Sequence, residues 1–179
     1  MKYFLYHFVP KNMQGTVLYP LNELKKIWPD IYKYHDDKYG WRREVQKTII
    51  PGHGKWGDVI HLSPIDPNLT IKELNNAGFT KDIQWKVYKI DPSVLDKDKL
   101  IIMTKSFEGD KPKSHFEEFN IDKLSTLNRF PQWTLNYYKE CKKKNINPLL
   151  YAGAPHVLYA GRIDIGNVEI ISVNPDTSE

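Results

Sequence analysis

Residues 4–9 spell Phe4-Leu5-Tyr6-His7-Phe8-Val9, an apolar run that a single imidazole interrupts. The same pattern returns in Val59-Ile60-His61-Leu62-Ser63 and in Pro155-His156-Val157-Leu158-Tyr159. Short runs rich in β-branched and aromatic residues predict buried strands. A buried imidazole needs a hydrogen-bond partner, a ligand or a proton to transfer, because an unsatisfied buried polar group costs roughly 1–3 kcal/mol. We therefore expect at least two of these histidines to line one cleft.

Strand-like and helix-like patterns mix along the chain without regular alternation. Thr70 and Glu73 have the spacing of a capping box, which predicts a helix start. The charged stretch 106–114 predicts a hairpin tip or a mobile loop. The irregular order predicts an α+β fold with a mixed, mainly antiparallel sheet and a few flanking helices. We expect one domain over residues 1–173 and a frayed tail over residues 174–179.

Composition excludes several classes of protein. The 179 residues are 40% hydrophobic and 27% charged, which is typical of a folded chain rather than a disordered one. No apolar run approaches the length of a membrane-spanning helix, so we expect no membrane partner. The single cysteine excludes an internal disulfide framework. No signal peptide is visible, so we expect a cytoplasmic location.

Two segments resemble those of a known enzyme family. In the first, Tyr6-His7 late in the first strand is followed by a loop that contains Gly15 and Tyr19. In the second, the stretch WGDVIHLSPIDP at residues 56–67 leads into a helix. Over residues 3–77 the chain resembles ADP-ribosyltransferases, nearest to the toxins that modify DNA.

The resemblance implies a fold, a substrate and a set of residues. Such a transferase would use NAD as its substrate and act on a nucleotide or nucleic acid. Tyr6 and His7 would then hold the ribose and nicotinamide side of NAD, with Tyr19 nearby. Glu169, on a late strand, would be the carboxylate that stabilises the transition state.

Basic residues could bind the phosphates of such a ligand. Arg42 and Arg43 are adjacent, and a guanidinium group matches the geometry of phosphate oxygens. If a phosphorylated ligand binds, we expect Arg43 or Arg42, together with Lys11, to face the histidine cleft.

Three other interpretations remain open. Ser63 lies two residues after His61, so imidazole and hydroxyl would share one strand face, as in metal-independent two-histidine phosphoesterases acting on RNA ends or cyclic nucleotides. In that interpretation His156 or His7 would be the second catalytic histidine, although neither is followed by a hydroxyl two residues later. The chain could instead be a non-catalytic module that binds a nucleotide or a protein. A zinc site built from the three histidines has no local ligand spacing to support it.

Overall fold

The computed structural model describes residues 2–79, 84–108 and 111–174. The strands within these ranges are β1 (Leu5–Phe8), β2 (Val17–Leu18), β3 (Ile49–Ile50), β4 (Gly54–Lys55), β5 (Ile60–Leu62), β6 (Trp85–Ile90), β7 (Leu100–Glu108), β8 (Lys111–Glu118), β9 (His156–Tyr159), β10 (Ile163–Asp164) and β11 (Glu169–Val173). The α-helices are α1 (Leu21–Ile27), α2 (Pro29–Asp37), α3 (Pro67–Asn76), α4 (Leu124–Leu127) and α5 (Gln132–Lys143). A 3-10 helix spans Gly40–Lys47.

The strands divide among several small sheets. The two larger ones have the orders β1-β6-β11 and β5-β9-β7-β8, and two-stranded sheets join β10 to β2 and β3 to β4. Pairing is antiparallel between all these named strands. The predicted α+β class is confirmed, although its strands form separate sheets and not one continuous sheet.

The two larger sheets meet where β1 passes the end of β5. The backbone N–H of Tyr6 donates to the carbonyl of Ser63 over 2.8 Å, and the N–H of Ser63 donates back over 2.9 Å. Beneath this bridge, Leu5 of one sheet and Ile102 and Val157 of the other are fully buried in one apolar core. The shared core fixes β1 relative to β5.

Helix α3 begins earlier than the capping pattern predicts. Asp66 is its N-cap, and the Asp66 carboxylate accepts a hydrogen bond from the backbone N–H of Asn68 over 2.8 Å. Pro67 follows at the first helical position, where its missing N–H leaves no donor unpaired. Thr70 is buried inside the helix, so the predicted capping box at Thr70 is wrong.

The charged stretch after residue 105 belongs mostly to two strands. β7 pairs with β8 from Ile101 opposite Glu118 to Glu108 opposite Lys111, and residues 109 and 110 lie outside the described residues. Of the expected tail, only Asn174 is described. Among the described residues, no helix has the length and apolar character needed to cross a membrane.

The shared core predicts a sharp contrast between two isoleucines. Ile102→Ala removes a side chain with no solvent exposure, and we expect it to lower the free energy of unfolding by about 2–5 kcal/mol. Ile49 is 71% exposed on β3, so Ile49→Ala should change it by less than about 0.5 kcal/mol. Urea denaturation measures both. Equal effects of the two substitutions would contradict the position of this core.

Candidate functional site

A pocket of about 500 Å³ lies where β1, β5 and β9 approach α1 and α2. His7, His61 and His156 all line it, so the expectation that at least two would share one cleft is confirmed. Much of the remaining wall is aromatic, formed by Phe8, Tyr19, Trp28, Tyr39, Trp56 and Tyr151. The structure thus brings the three histidines together beside apolar rings.

Strand register explains why two of the histidines are close. β5 pairs with β9 so that His61 lies opposite Leu158, two residues after His156. Directly opposed residues share a sheet face, and so do alternate residues of one strand. The two imidazole rings therefore point to the same side, with their centroids 6.2 Å apart and their planes at 84°.

Each of the three imidazoles is held by a backbone carbonyl. Nδ1 of His7 lies 2.7 Å from the carbonyl oxygen of Phe8, and Nδ1 of His156 lies 3.0 Å from that of Ala154. Nε2 of His61 lies 3.0 Å from the carbonyl oxygen of Trp56. A carbonyl can only accept, so in each ring the bonded nitrogen carries the proton.

The pocket favours the neutral form of all three rings. Burial lowers the pKa of His7 and of His156 to about 4 and that of His61 to about 3. For His61 the positive charge of a protonated His156 lowers the pKa further. Because a cationic imidazole loses hydration in this pocket, each ring is uncharged near neutral pH.

Trp56 holds His61 in place from two directions. Its carbonyl accepts a hydrogen bond from the His61 N–H, and its ring lies over the imidazole with the ring centroids 4.1 Å apart. The Trp56 indole N–H donates to the hydroxyl of Tyr39 over 3.1 Å. No pattern in the sequence marks Trp56 as a site residue, although Trp56 begins the segment that carries the second resemblance.

Positive charge enters the pocket from the helical side. Lys38 and Arg42 both line it, as does His35. Lys38 Nζ lies 3.0 Å from Nδ1 of His35, and burial lowers the pKa of both groups. No Asp or Glu among the described residues lines this pocket. The signal for Lys38 in the sequence is its helical spacing from Ile31 and His35, which places all three on one face.

The predicted ligand-binding residues divide between two locations. Tyr19 lines the pocket, whereas Lys11 is exposed and does not line it. Arg43 pairs with Asp36 at 3.0 Å outside the pocket wall, and Arg42 takes the position expected for it. Of the expected basic residues, Arg42 therefore lines the pocket, whereas Arg43 and Lys11 do not.

Tyr6 is also absent from the pocket wall. Consecutive strand residues point to opposite faces, so Tyr6 and His7 cannot share one. The Tyr6 hydroxyl donates to Asp66 over 3.2 Å, and its ring packs with Ile71 and Val87 in a separate core cluster. Its role in the structure is to support α3 against the sheet.

Two predicted catalytic residues lie away from the histidines' pocket. The hydroxyl of Ser63 bonds within a turn, donating to the carbonyl of Ile65 over 3.2 Å and accepting from the Ile65 N–H over 3.0 Å. Glu169 is exposed at the start of β11 and pairs with Lys89 at 3.0 Å. Neither residue lines the pocket, so the structure brings neither Glu169 of the transferase interpretation nor Ser63 of the phosphoesterase interpretation into the wall that the histidines share.

The described residues do not form a metal site. No group of three or more His, Cys, Asp or Glu side chains within them is arranged to hold a metal ion. In each pocket histidine, the protonated nitrogen faces a backbone carbonyl. That edge of the ring is therefore turned away from any metal ion that the three rings could share.

Comparison of the chain with known proteins gives no match, whether to a family model, to a curated protein or to a solved structure.

The neutral histidines predict that stability falls with decreasing pH. Unfolded histidine has a pKa of about 6.5, so between about pH 6.5 and pH 4 the unfolded chain binds more protons than the folded one. We expect each pocket histidine to contribute up to roughly 2 kcal/mol of lost stability between about pH 7 and pH 5. When urea denaturation is measured across this pH range, the free energy of unfolding should depend less steeply on pH in His156→Leu than in the wild-type protein.

The matched control replaces a histidine outside the pocket. His115→Gln lies on the exposed β8 strand, where His115 contacts Ser106. If the free energy of unfolding depends on pH as steeply in His156→Leu as in His115→Gln, the result would contradict a buried, neutral imidazole at position 156.

Proposed function

We propose that this chain binds a nucleotide in the histidine pocket, with NAD as the first ligand to test. The observation that carries the proposal is the division of the pocket wall. Neutral imidazoles line its sheet side, aromatic rings line both sides, and Lys38 and Arg42 line its helical side without an acidic neighbour in the wall. A nucleotide has the same two parts, a planar base and a phosphate group.

The dimensions of the pocket support a ligand of this class. A volume of about 500 Å³ falls within the range of small-molecule sites, roughly 300–1,000 Å³. Trp28 and Tyr39 offer flat surfaces against which a base or a nicotinamide ring can stack. Lys38 and Arg42 can donate charge-assisted hydrogen bonds to phosphate oxygens.

Transfer of ADP-ribose is the reaction that the sequence resemblance implies. Such a transfer develops positive charge on the ribose, which a nearby carboxylate would stabilise. Glu169 lies outside the pocket wall, and no other described acidic residue lines it. The geometry therefore supports nucleotide binding, whereas transferase activity is supported by the resemblance alone.

The two-histidine phosphoesterase has one observation in its favour, the close approach of His61 and His156. General acid catalysis needs one protonated imidazole, but burial lowers the pKa of both rings far below neutral pH. The hydroxyl of Ser63 is also engaged with Ile65. We therefore favour the nucleotide-binding proposal.

Two lysines, Lys33 within α2 and Lys38 at its C-terminal end, test the proposed phosphate contact. Lys38→Ala should weaken NAD binding roughly three- to tenfold and reduce its salt dependence, because one phosphate contact is lost. Lys33→Ala is the matched control, since Lys33 is exposed on α2 outside the pocket wall. Isothermal titration calorimetry at two salt concentrations measures both. Identical affinities and salt slopes for the two variants would contradict the proposed phosphate position.

The same preparation separates a binder from an enzyme. Release of nicotinamide from NAD by the wild-type protein would support ADP-ribosyl transfer. Binding without release would support the non-catalytic module. Absence of binding by NAD, AMP and ADP-ribose would overturn the nucleotide proposal.

A further inference from the structure

The three pocket histidines have one N–H each, and the protein itself uses all three. Because His7, His61 and His156 are neutral near pH 7, each ring has a single proton. These N–H groups donate hydrogen bonds to the backbone carbonyls of Phe8, Trp56 and Ala154. None of the three imidazoles therefore has an N–H to offer a ligand.

The nitrogens that remain are acceptors. Nε2 of His7 and Nε2 of His156 have no hydrogen-bond partner in the described part of the chain. Nδ1 of His61 is buried, and no described residue donates to it. An unprotonated imidazole nitrogen presents a lone pair, so Nε2 of His7 and Nε2 of His156 can accept a hydrogen bond from a ligand and cannot donate one.

The donors of the pocket lie on its other side. Lys38 and Arg42 come from the end of α2 and from the following 3-10 helix, whereas the histidines come from β1, β5 and β9. A negatively charged group is thus stabilised near the helices. Near the sheet, the same negatively charged group would face unprotonated imidazole nitrogens and apolar side chains.

We propose that the histidine wall selects a neutral ligand group that donates N–H or O–H, such as a primary carboxamide, and rejects a carboxylate of the same shape. The inference rests on the proposed function in so far as the ligand is a nucleotide, and it names the part of the ligand that contacts the histidines. A carboxamide has two N–H bonds to donate, and the unprotonated Nε2 of His7 or of His156 can accept one. A carboxylate can only accept.

The size of the discrimination follows from the cost of protonating a ring. Only a cationic imidazole could donate a hydrogen bond to a carboxylate from this side. With a pKa of about 4, the cationic form is about a thousandfold less populated than the neutral form at pH 7. The carboxylate would recover part of this by pairing with the cation. We expect the carboxamide to bind at least about tenfold more tightly.

Two matched ligand pairs test this selection at pH 7. Calorimetry compares NAD with nicotinic acid adenine dinucleotide, which differs only by carboxylate in place of carboxamide. Ligand-observed NMR compares nicotinamide with nicotinate, which need no phosphate contact. Tighter binding of the carboxamide in each pair is the expected result. Equal or tighter binding of the carboxylate, or no binding by either ring compound, would overturn the inference.

The two pairs distinguish this inference from the proposed function. If neither dinucleotide binds but nicotinamide still binds more tightly than nicotinate, nucleotide binding fails and the selection by the histidines stands. If both dinucleotides bind equally well, nucleotide binding stands and the selection fails.

One substitution should relax the selection. His156→Gln introduces an amide that can turn its NH₂ group toward a carboxylate, so the preference for nicotinamide should fall several-fold. His115→Gln makes the same change on the exposed β8 strand and should leave the preference unchanged. A preference that stays equally strong in both variants would show that His156 does not contact the ligand group.

Discussion

The pocket depends on two backbone hydrogen bonds exchanged between Tyr6 and Ser63. They join the sheet that contains β1 to the sheet that contains β5, and both sheets then bury their apolar faces in a common core. This junction brings His7 to the same pocket as His61 and His156. It also explains why the bridging residues are not site residues, because Tyr6 points to the opposite face and the Ser63 hydroxyl stays in its turn.

A second set of hydrogen bonds determines what the pocket can bind. Three backbone carbonyl groups each accept a hydrogen bond from the single N–H of one imidazole, which orients the rings and defines their tautomers. Burial then keeps the rings neutral. The result is a pocket with acceptors along the sheet and cations along the helices, which matches a ligand that is neutral and donating at one end and anionic at the other.

Local pattern predicted the histidine-bearing strands and the α+β class, because interrupted apolar runs and turn residues are short-range signals. It also predicted that at least two of the three histidines would line one cleft, since each needed a buried environment. It failed where side-chain direction mattered: alternation along β1 already excludes Tyr6 from the face of His7. Glu169 and Arg43 could not be placed from the sequence, because their ion pairs with Lys89 and Asp36 depend on tertiary structure. The helical spacing of Lys38 from Ile31 and His35 indicates its position, whereas Trp56 contributes through contacts with His61 and Tyr39 that no local spacing indicates.

The central claim is that the pocket imidazoles are neutral and that each has one defined tautomer. Nitrogen-15 NMR of the histidine side chains at pH 7 tests it most directly, because protonated and unprotonated ring nitrogens have widely separated shifts. We expect Nε2 of His7, Nε2 of His156 and Nδ1 of His61 to be unprotonated, with the proton on the other nitrogen of each ring. Shifts of a cationic imidazolium, or of rings that exchange between tautomers, would contradict it.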